Sequence, residues 1–400
     1  MPLRGPPRPR MRIAHWTVTT AAGTGRDAFA RALAANAGAL RRDDFSRAGL
    51  DTWIGRVEAV EALQLPAALQ ALDARVTRLA WLALQADGFA EAVRRAAARV
   101  GSQRVGVVLG TSTSSIAESE TAYRRHAATG GFSPQDLRPD LHHLHAPAAF
   151  VQQALGLDGL SLTVSTACAS SAKAFAVARG WLQAGLADAV VVGGVDSLCE
   201  STLHGFGALQ LLAPNPCRPF GADRQGISIG EAAGFALLER DDGPGPRLLG
   251  IGESSDAHHM SAPHPEGRGA RTAMHAALEG SGLAPDAIDF VHLHGTGTRL
   301  NDATEAAAVA GLLPHAPHAA STKGCTGHTL GAAGILGAAA CWLALEQGLR
   351  AGTANTAAVD PALPLALALR CAPAFAPTRH ALANAFGFGG SNVSLVFGHG

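Results

Sequence analysis

Lysine is almost missing from this chain: among 32 basic residues in 400, Lys173 and Lys323 are the only two that are not arginine. With the surplus of Ala and Gly this reads as a GC-rich coding bias, so the two remaining lysines mark positions to examine. Net charge is missing too, because 32 acidic residues balance the basic ones. No bulk electrostatic footprint for nucleic acid or an anionic membrane results, and an acidic partner has to be met by a local patch. The six cysteines (168, 199, 217, 325, 341 and 371) form no CxxC pair and no zinc-type spacing. That excludes a disulfide framework and a cysteine metal site, and it points to a reducing, cytoplasmic compartment. The opening MPLRGPPRPRMRIAHW lacks the apolar stretch of a secretory signal; residues 1–10 read as a disordered basic tail, with Met11 as an alternative start. No apolar run reaches the roughly 20 residues of a membrane span. The longest, Leu330 to Leu345, is more than half Gly and Ala and reads as a core helix.

What is present is enough apolar sequence for a large core: 47% hydrophobic against 16% charged, in two domains or one large double unit. Strands alternate with helices, which predicts an α/β fold with mostly parallel pairing. A first strand falls at Arg12 to Thr20, a helix at Gly25 to Ala37, and helical periodicity twice over at Ala67 to Val100. RVGVVLG (104–110) is a short buried strand running into the turn TSTSSIAES. A His-rich connection, HHLHAP, precedes a helix from Pro147; His142, His143 and His145 are weak metal candidates without nearby carboxylates. The Asp-Asp-Gly-Pro-Gly-Pro run at 241–246 is the best boundary, dividing an N-terminal half (11–245) from a C-terminal half (246–400). The second half repeats the first in type, with a strand, Phe290 to His294, that ends on a histidine.

Four segments carry chemistry. In SLTVSTACASSAKAFAVARGWLQ, Cys168 lies where a strand hands over to an apolar helix. Free N–H groups and the positive end of the macrodipole there favour thiolate, a nucleophile's setting, although a packing cysteine fits the same pattern. His294 opens HGTGTRLNDATE, with hydroxyls at Thr296 and Thr298; Asp302 and Glu305, three apart, share a helix face. Alone, this is also an ordinary turn whose Thr and Asp cap a helix. Lys323 and His328 sit five apart in STKGCTGHTLGAAG, before the core helix, whose N-terminus can hold a histidine neutral. NAFGFGGSN, with Phe386 and Phe388, is either a plain turn or a glycine loop that brings backbone N–H groups to a reacting oxygen.

Together, TACASS, HGTGT, STKGCTGH, GFGGSN and the loop RPFGADRQGISIGEAAGFALLE (218–239) resemble the β-ketoacyl-acyl carrier protein synthases of the elongating, Cys-His-His type, along the chain from Met11 to the end. The resemblance implies the thiolase fold: two similar α/β halves in five layers, α-β-α-β-α. It implies a decarboxylative Claisen condensation, with no bound cofactor and both substrates carried on the phosphopantetheine arm of acyl carrier protein. Cys168 would take the acyl group, with its own N–H and that of Phe388 as oxyanion hole. His294 and His328 would stabilise the enolate. Lys323 would orient them by charge, with Glu305 as its partner and Asp302 in support. Thr296, Thr298 and Ser261 would contact the arm, and Phe388 would act as a gate. The family also includes non-catalytic chain-length partners and non-decarboxylating acyltransferases, so both stay as alternatives.

Three features depart from the housekeeping pattern. The first strand, RIAHWTVTTAAG, lacks the usual opening; the loop at 211–226 is shorter; and Ile227 stands where an aromatic residue often flanks the gate. With SSDAHHMSAPHPEG (254–267), they are similar to synthases of specialised type II pathways such as those making aryl polyenes. Such synthases form homodimers or pair with a synthase-like paralogue.

Overall fold

A computed structural model describes residues 11–47, 49–373 and 377–399. The tail at 1–10 lies outside the described residues. Ten strands form two sets of five. The first set is β1 (Met11–Thr20), β2 (Val105–Gly110), β3 (Ser161–Val164), β4 (Ala189–Asp196) and β5 (Ala232–Glu239). The second is β6 (Arg247–Ser255), β7 (Phe290–His292), β8 (His318–Ala320), β9 (His380–Gly387) and β10 (Ser391–Gly398). In space they run β3-β2-β4-β5-β1 and β8-β7-β9-β10-β6. Numbered within each half, both orders are third, second, fourth, fifth, first. The two sets meet where Met11 and Arg12 of β1 pair with Leu248 and Arg247 of β6.

Pairing is mixed rather than mostly parallel. In each half three strands are parallel, β3-β2-β4 and β8-β7-β9, and the fifth strand, β5 or β10, runs antiparallel between them and the first, β1 or β6. Short hairpin-type returns, such as the one from β9 to β10, need no crossover helix, which the helix-strand alternation could not reveal. Every residue of β2 and β4 is buried, as expected for strands covered on both faces.

Seven helices make the layers: α1 (Arg75–Gln85), α2 (Phe89–Val100), α3 (Ala146–Leu155), α4 (Ser170–Gln183), α5 (Arg268–Ser281), α6 (Arg299–Leu312) and α7 (Ala333–Gln347). Helices α1, α2 and α3 cover the outer face of the first sheet, α5 and α6 that of the second, and α4 packs on α7 between them. The order of layers is therefore α-β-α-β-α. Trp342 of α7 anchors the middle layer, with Trp16, Phe175 and Phe397 at ring-centroid distances of 5.4, 6.2 and 5.5 Å. The apolar stretch Leu330–Gln347 passes a length and hydropathy test for a membrane span, yet 89% of it is buried inside the protein, so it is the core helix the sequence predicted.

Small residues let these helices approach the strand ends and one another. A Cβ on Gly110 would lie 2.2 Å from the Ser171 nitrogen, and one on Gly334 2.4 Å from that of Ala172. The ACASS and GAAG runs are thus packing requirements as well as motifs. Two helices differ from the sequence reading: Ile116–Thr129 and Glu200–Ala208 occupy stretches read as connection or left unread. Their apolar content is low or Gly-interrupted, so periodicity was weak there.

Candidate active site

Each candidate side chain sits just past the carboxyl end of a strand. After β3 the chain turns through Ala167, held at φ 49°, and reaches Cys168 two residues before α4 begins. The turn is closed locally: the Thr166 N–H donates to Ser170 Oγ (2.9 Å), which in turn donates to the Ala167 carbonyl (2.5 Å). The GFGG loop packs onto this turn, since a Cβ on Gly387 would lie 2.6 Å from the Thr166 carbonyl oxygen. The backbone N–H groups of Phe388 and Cys168 face the sulfur.

Beyond β7, the turn carrying His294 is clamped by the two carboxylates of α6. Glu305 accepts the N–H groups of His294 and Gly295, both at 2.7 Å, and Asp302 accepts those of Thr296 (3.0 Å) and Gly297 (3.2 Å). Asp302 also accepts the Phe220 N–H at 2.7 Å, and Asn384 Nδ2 donates to Glu305 at 3.2 Å. Thr298 stands at the N-cap of α6 without a side-chain cap bond; its hydroxyl pairs with that of Thr296 at 2.9 Å.

Beyond β8, Lys323 opens a four-residue helix, Lys323–Thr326. The backbone of His328 pairs with the Ser228 carbonyl (2.7 Å) and the Gly230 N–H (2.9 Å). The loop fits because a Cβ on Gly55 or Gly230 would lie 2.2 or 2.3 Å from the Thr326 carbonyl oxygen.

These turns converge. His328 Nε2 lies 3.0 Å from Cys168 Sγ, and the His294 and His328 rings stand edge to face with centroids 5.4 Å apart. Lys323 Nζ donates to the His294 carbonyl and reaches His294 Nδ1 at 3.5 Å. An ammonium can only donate, so Nδ1 is the bare nitrogen and Nε2 carries the proton. His328 Nδ1 is buried without a partner; placing the proton on Nε2, toward the sulfur, leaves only a bare acceptor there.

Burial sets the charge states. Burial first, then the Lys323 ammonium, pushes both His294 and His328 well below the ordinary imidazole range, so both rings are neutral. For His328 this differs from the expected helix N-terminus effect. Burial lowers Lys323 to about 8, although Glu305 opposes the shift, and burial raises Glu305 to about 7. No Lys323–Glu305 ion pair within 4 Å occurs among the described residues, so the expected partnership is electrostatic at longer range. Glu305 spends its oxygens on the turn instead. Burial likewise pushes the Cys168 thiol up to about 12 against the pull of Lys323 and the two backbone N–H groups. The resting form is therefore thiol, not the thiolate expected at a helix N-terminus, because burial outweighs the donors.

A cavity of about 460 Å³ opens onto these groups, lined by Cys168, His294, His328, Thr296, Thr298, Ser261, Phe206, Ile227 and Phe388 among others. Phe388 is 38% exposed and leans on Phe206, with ring centroids 5.8 Å apart. The sequence reading missed Asn384, although it stands at the head of NAFGFGG, and Arg224, a buried cavity residue paired with Asp360 at 2.6 Å. His142 and His145 are engaged elsewhere, by Ser119 and Thr163, and no His/Cys/Asp/Glu group suited to a metal occurs among the described residues.

Two stacked α/β halves that bring a cysteine from one and histidines from the other to a common cavity define a thiolase-fold acyl-transferring enzyme. Residues 22–243 match the beta-ketoacyl synthase N-terminal domain and residues 247–357 the beta-ketoacyl synthase C-terminal domain. The chain belongs to the β-ketoacyl synthase family of condensing acyltransferases. It is 35% identical over 309 residues to Nodulation protein E of Rhizobium meliloti, covering 74% of this chain and 75% of that one. It is 32% identical over 315 residues to 3-oxoacyl-[acyl-carrier-protein] synthase 2 of Mycobacterium leprae, covering 75% of each. A ketosynthase from Xenorhabdus doucetiae, solved in complex with its chain length factor, superposes with a TM-score of 0.90 at 36% identity over 99% of both chains.

Proposed function

We propose that Cys168 carries the growing acyl group and that the C-terminal half generates the enolate that attacks it. In the first half-reaction, Cys168 sulfur displaces the pantetheine sulfur of an acyl carrier protein, whose thiol leaves with the proton. The N–H groups of Cys168 and Phe388 stabilise the tetrahedral oxyanion. In the second, malonyl carrier protein loses carbon dioxide, and the Nε2–H groups of His294 and His328 hold the enolate oxygen. Neutral imidazoles donate without quenching the carbanion, which a stronger acid would do. The carbanion forms the new carbon–carbon bond, and the sulfur of Cys168 leaves and takes up one proton from solvent. A thiol pushed up to about 12 recovers that proton readily.

The observation that carries this reading is the 3.0 Å approach of His328 Nε2 to Cys168 Sγ at a cavity of about 460 Å³ that both residues line. Thr296, Thr298 and Ser261, on the cavity wall, would contact pantetheine, and Phe388 at its mouth would gate the two half-reactions. The retained cysteine, histidines and lysine speak against a silent chain-length partner. The chain divides at 245/246 in this reading, and the enzyme works in the cytoplasm.

The pathway is a specialised type II one of the aryl polyene kind rather than ordinary elongation. Its departures from the housekeeping sequences support this, as does the likeness to a ketosynthase that works with a chain length factor. A second subunit of the same fold, identical or paralogous, would dock on β3, an edge strand that carries exposed Leu162 and is preceded by exposed Leu160. The test is a panel of saturated, unsaturated and aryl-primed carrier proteins with malonyl carrier protein, with products read by mass spectrometry. Extension of unsaturated or aryl primers is expected. A preference for long saturated chains would overturn the pathway, and no β-keto product from any primer would overturn condensation.

A further inference from the structure

Asp196 stands at the end of β4, is fully buried, and takes no part in the chemistry above. Its carboxylate joins two loops. From TSTSS, after β2, it accepts Thr111 Oγ1 at 2.5 Å, Thr113 Oγ1 at 2.8 Å, and the backbone N–H groups of Ser112 and Thr113 at 2.9 and 3.0 Å. From the loop leading into α7 it accepts the Gly331 N–H at 2.6 Å. The fit is close, because a Cβ on Gly331 would lie 2.7 Å from both Asp196 Oδ2 and the Ser112 nitrogen.

Behind each loop is a strained residue next to a reacting group. Ala167, at φ 49°, precedes Cys168, and its carbonyl accepts Ser112 Oγ at 3.1 Å. Leu330, at φ 50°, follows His328 by two residues and precedes Gly331. Non-glycine residues stay in the left-handed region only where their surroundings over-determine them. One carboxylate supplies that constraint to both, through Ser112 on one side and directly through Gly331 on the other.

We propose that Asp196 is a positioning residue that fixes the separation of Cys168 Sγ and His328 Nε2 by holding both strained turns at once. This rests on Cys168 and His328 being the reacting pair. Asp196 also acts on the thiol by charge. Around the sulfur, the Lys323 ammonium favours thiolate, the neutral His294 and His328 rings add no charge, and the Asp196 carboxylate favours thiol. Removing that carboxylate therefore moves the thiol's titration toward lower pH.

Asp196→Asn keeps the volume and turns an acceptor into an N–H donor facing N–H groups. On the full-length protein, three quantities are read: melting temperature, condensation kinetics, and the rate of Cys168 alkylation by iodoacetamide against pH. With the fold retained, kcat should fall about 30-fold or more while KM for malonyl carrier protein changes by less than about threefold, as for lost transition-state geometry. The alkylation midpoint should shift to lower pH, which a merely structural role would not produce. If Asp196→Asn does not fold, Ser112→Ala, which cuts only the link to Ala167, should slow acyl transfer to Cys168 about fivefold at unchanged melting temperature. Wild-type kcat and alkylation midpoint in Asp196→Asn, or unaltered acyl transfer in Ser112→Ala, would overturn the proposal. Failure of the functional reading looks different: the wild-type protein would take no acyl group at Cys168, while the alkylation midpoint would still respond to Asp196→Asn.

Discussion

The two halves share one strand order yet deliver different chemistry from equivalent strand ends. After the third strand of the first half comes Cys168; after the third strand of the second come Lys323 and His328. After the second strand the first half has the hydroxyl loop TSTSS, and the second has HGTGT with His294. In the proposed reading the N-terminal half supplies the nucleophile and backbone donors, and the C-terminal half supplies Lys323 and the two histidines beside the sulfur. Placing the cysteine and the histidines on separate loops lets each be tuned by its own surroundings. Burial keeps the sulfur protonated at rest on one side, and burial together with one ammonium keeps two imidazoles neutral on the other.

Substitutions can break that division of labour. Cys168→Ala should lower acyl transfer from carrier protein by at least about a thousandfold, since no other sulfur among the described residues lines the cavity, as intact-protein mass spectrometry would show. His294→Ala or His328→Ala should slow malonyl decarboxylation by about a hundredfold or more, and acylation by less than about tenfold, measured as separate half-reactions. The reverse pattern would assign the histidines to the wrong step.

The pH profile sharpens the comparison. Decarboxylation needs Glu305 ionised and Lys323 protonated, so kcat/KM should rise through the Glu305 value of about 7 and fall through the Lys323 value of about 8. Acylation of Cys168 should lack the falling limb, because the thiol gains nucleophilicity as pH rises. The smallest effect is expected from Asn384→Ala, which removes one donor to Glu305; decarboxylation should slow about threefold to tenfold, in line with one buried hydrogen bond.

Much of the site was legible because its glycines, hydroxyls and histidines sit in short, unusual runs. TACASS, HGTGT and STKGCTGH each named a candidate residue, and Cys168, His294 and His328 share one cavity. The α/β class and the buried strands β2 and β4 followed from continuous apolar runs. The antiparallel returns of β5 and β10 did not, because strand direction depends on which neighbour a strand meets. The thiol's protonation was misjudged for a related reason. A helix N-terminus can be read locally, but the burial of Cys168 depends on the GFGG loop, more than 200 residues away. Asp196 passed unnoticed in VVGGVDS, since its five hydrogen-bonding partners come from sequence about 80 and 135 residues distant.

The division between the halves can be tested in a single protein. Carbon dioxide release from malonyl carrier protein by Cys168→Ala depends only on the C-terminal half, so it should proceed within about tenfold of the wild-type rate while condensation is lost. Decarboxylation that disappears together with acyl transfer would contradict the account.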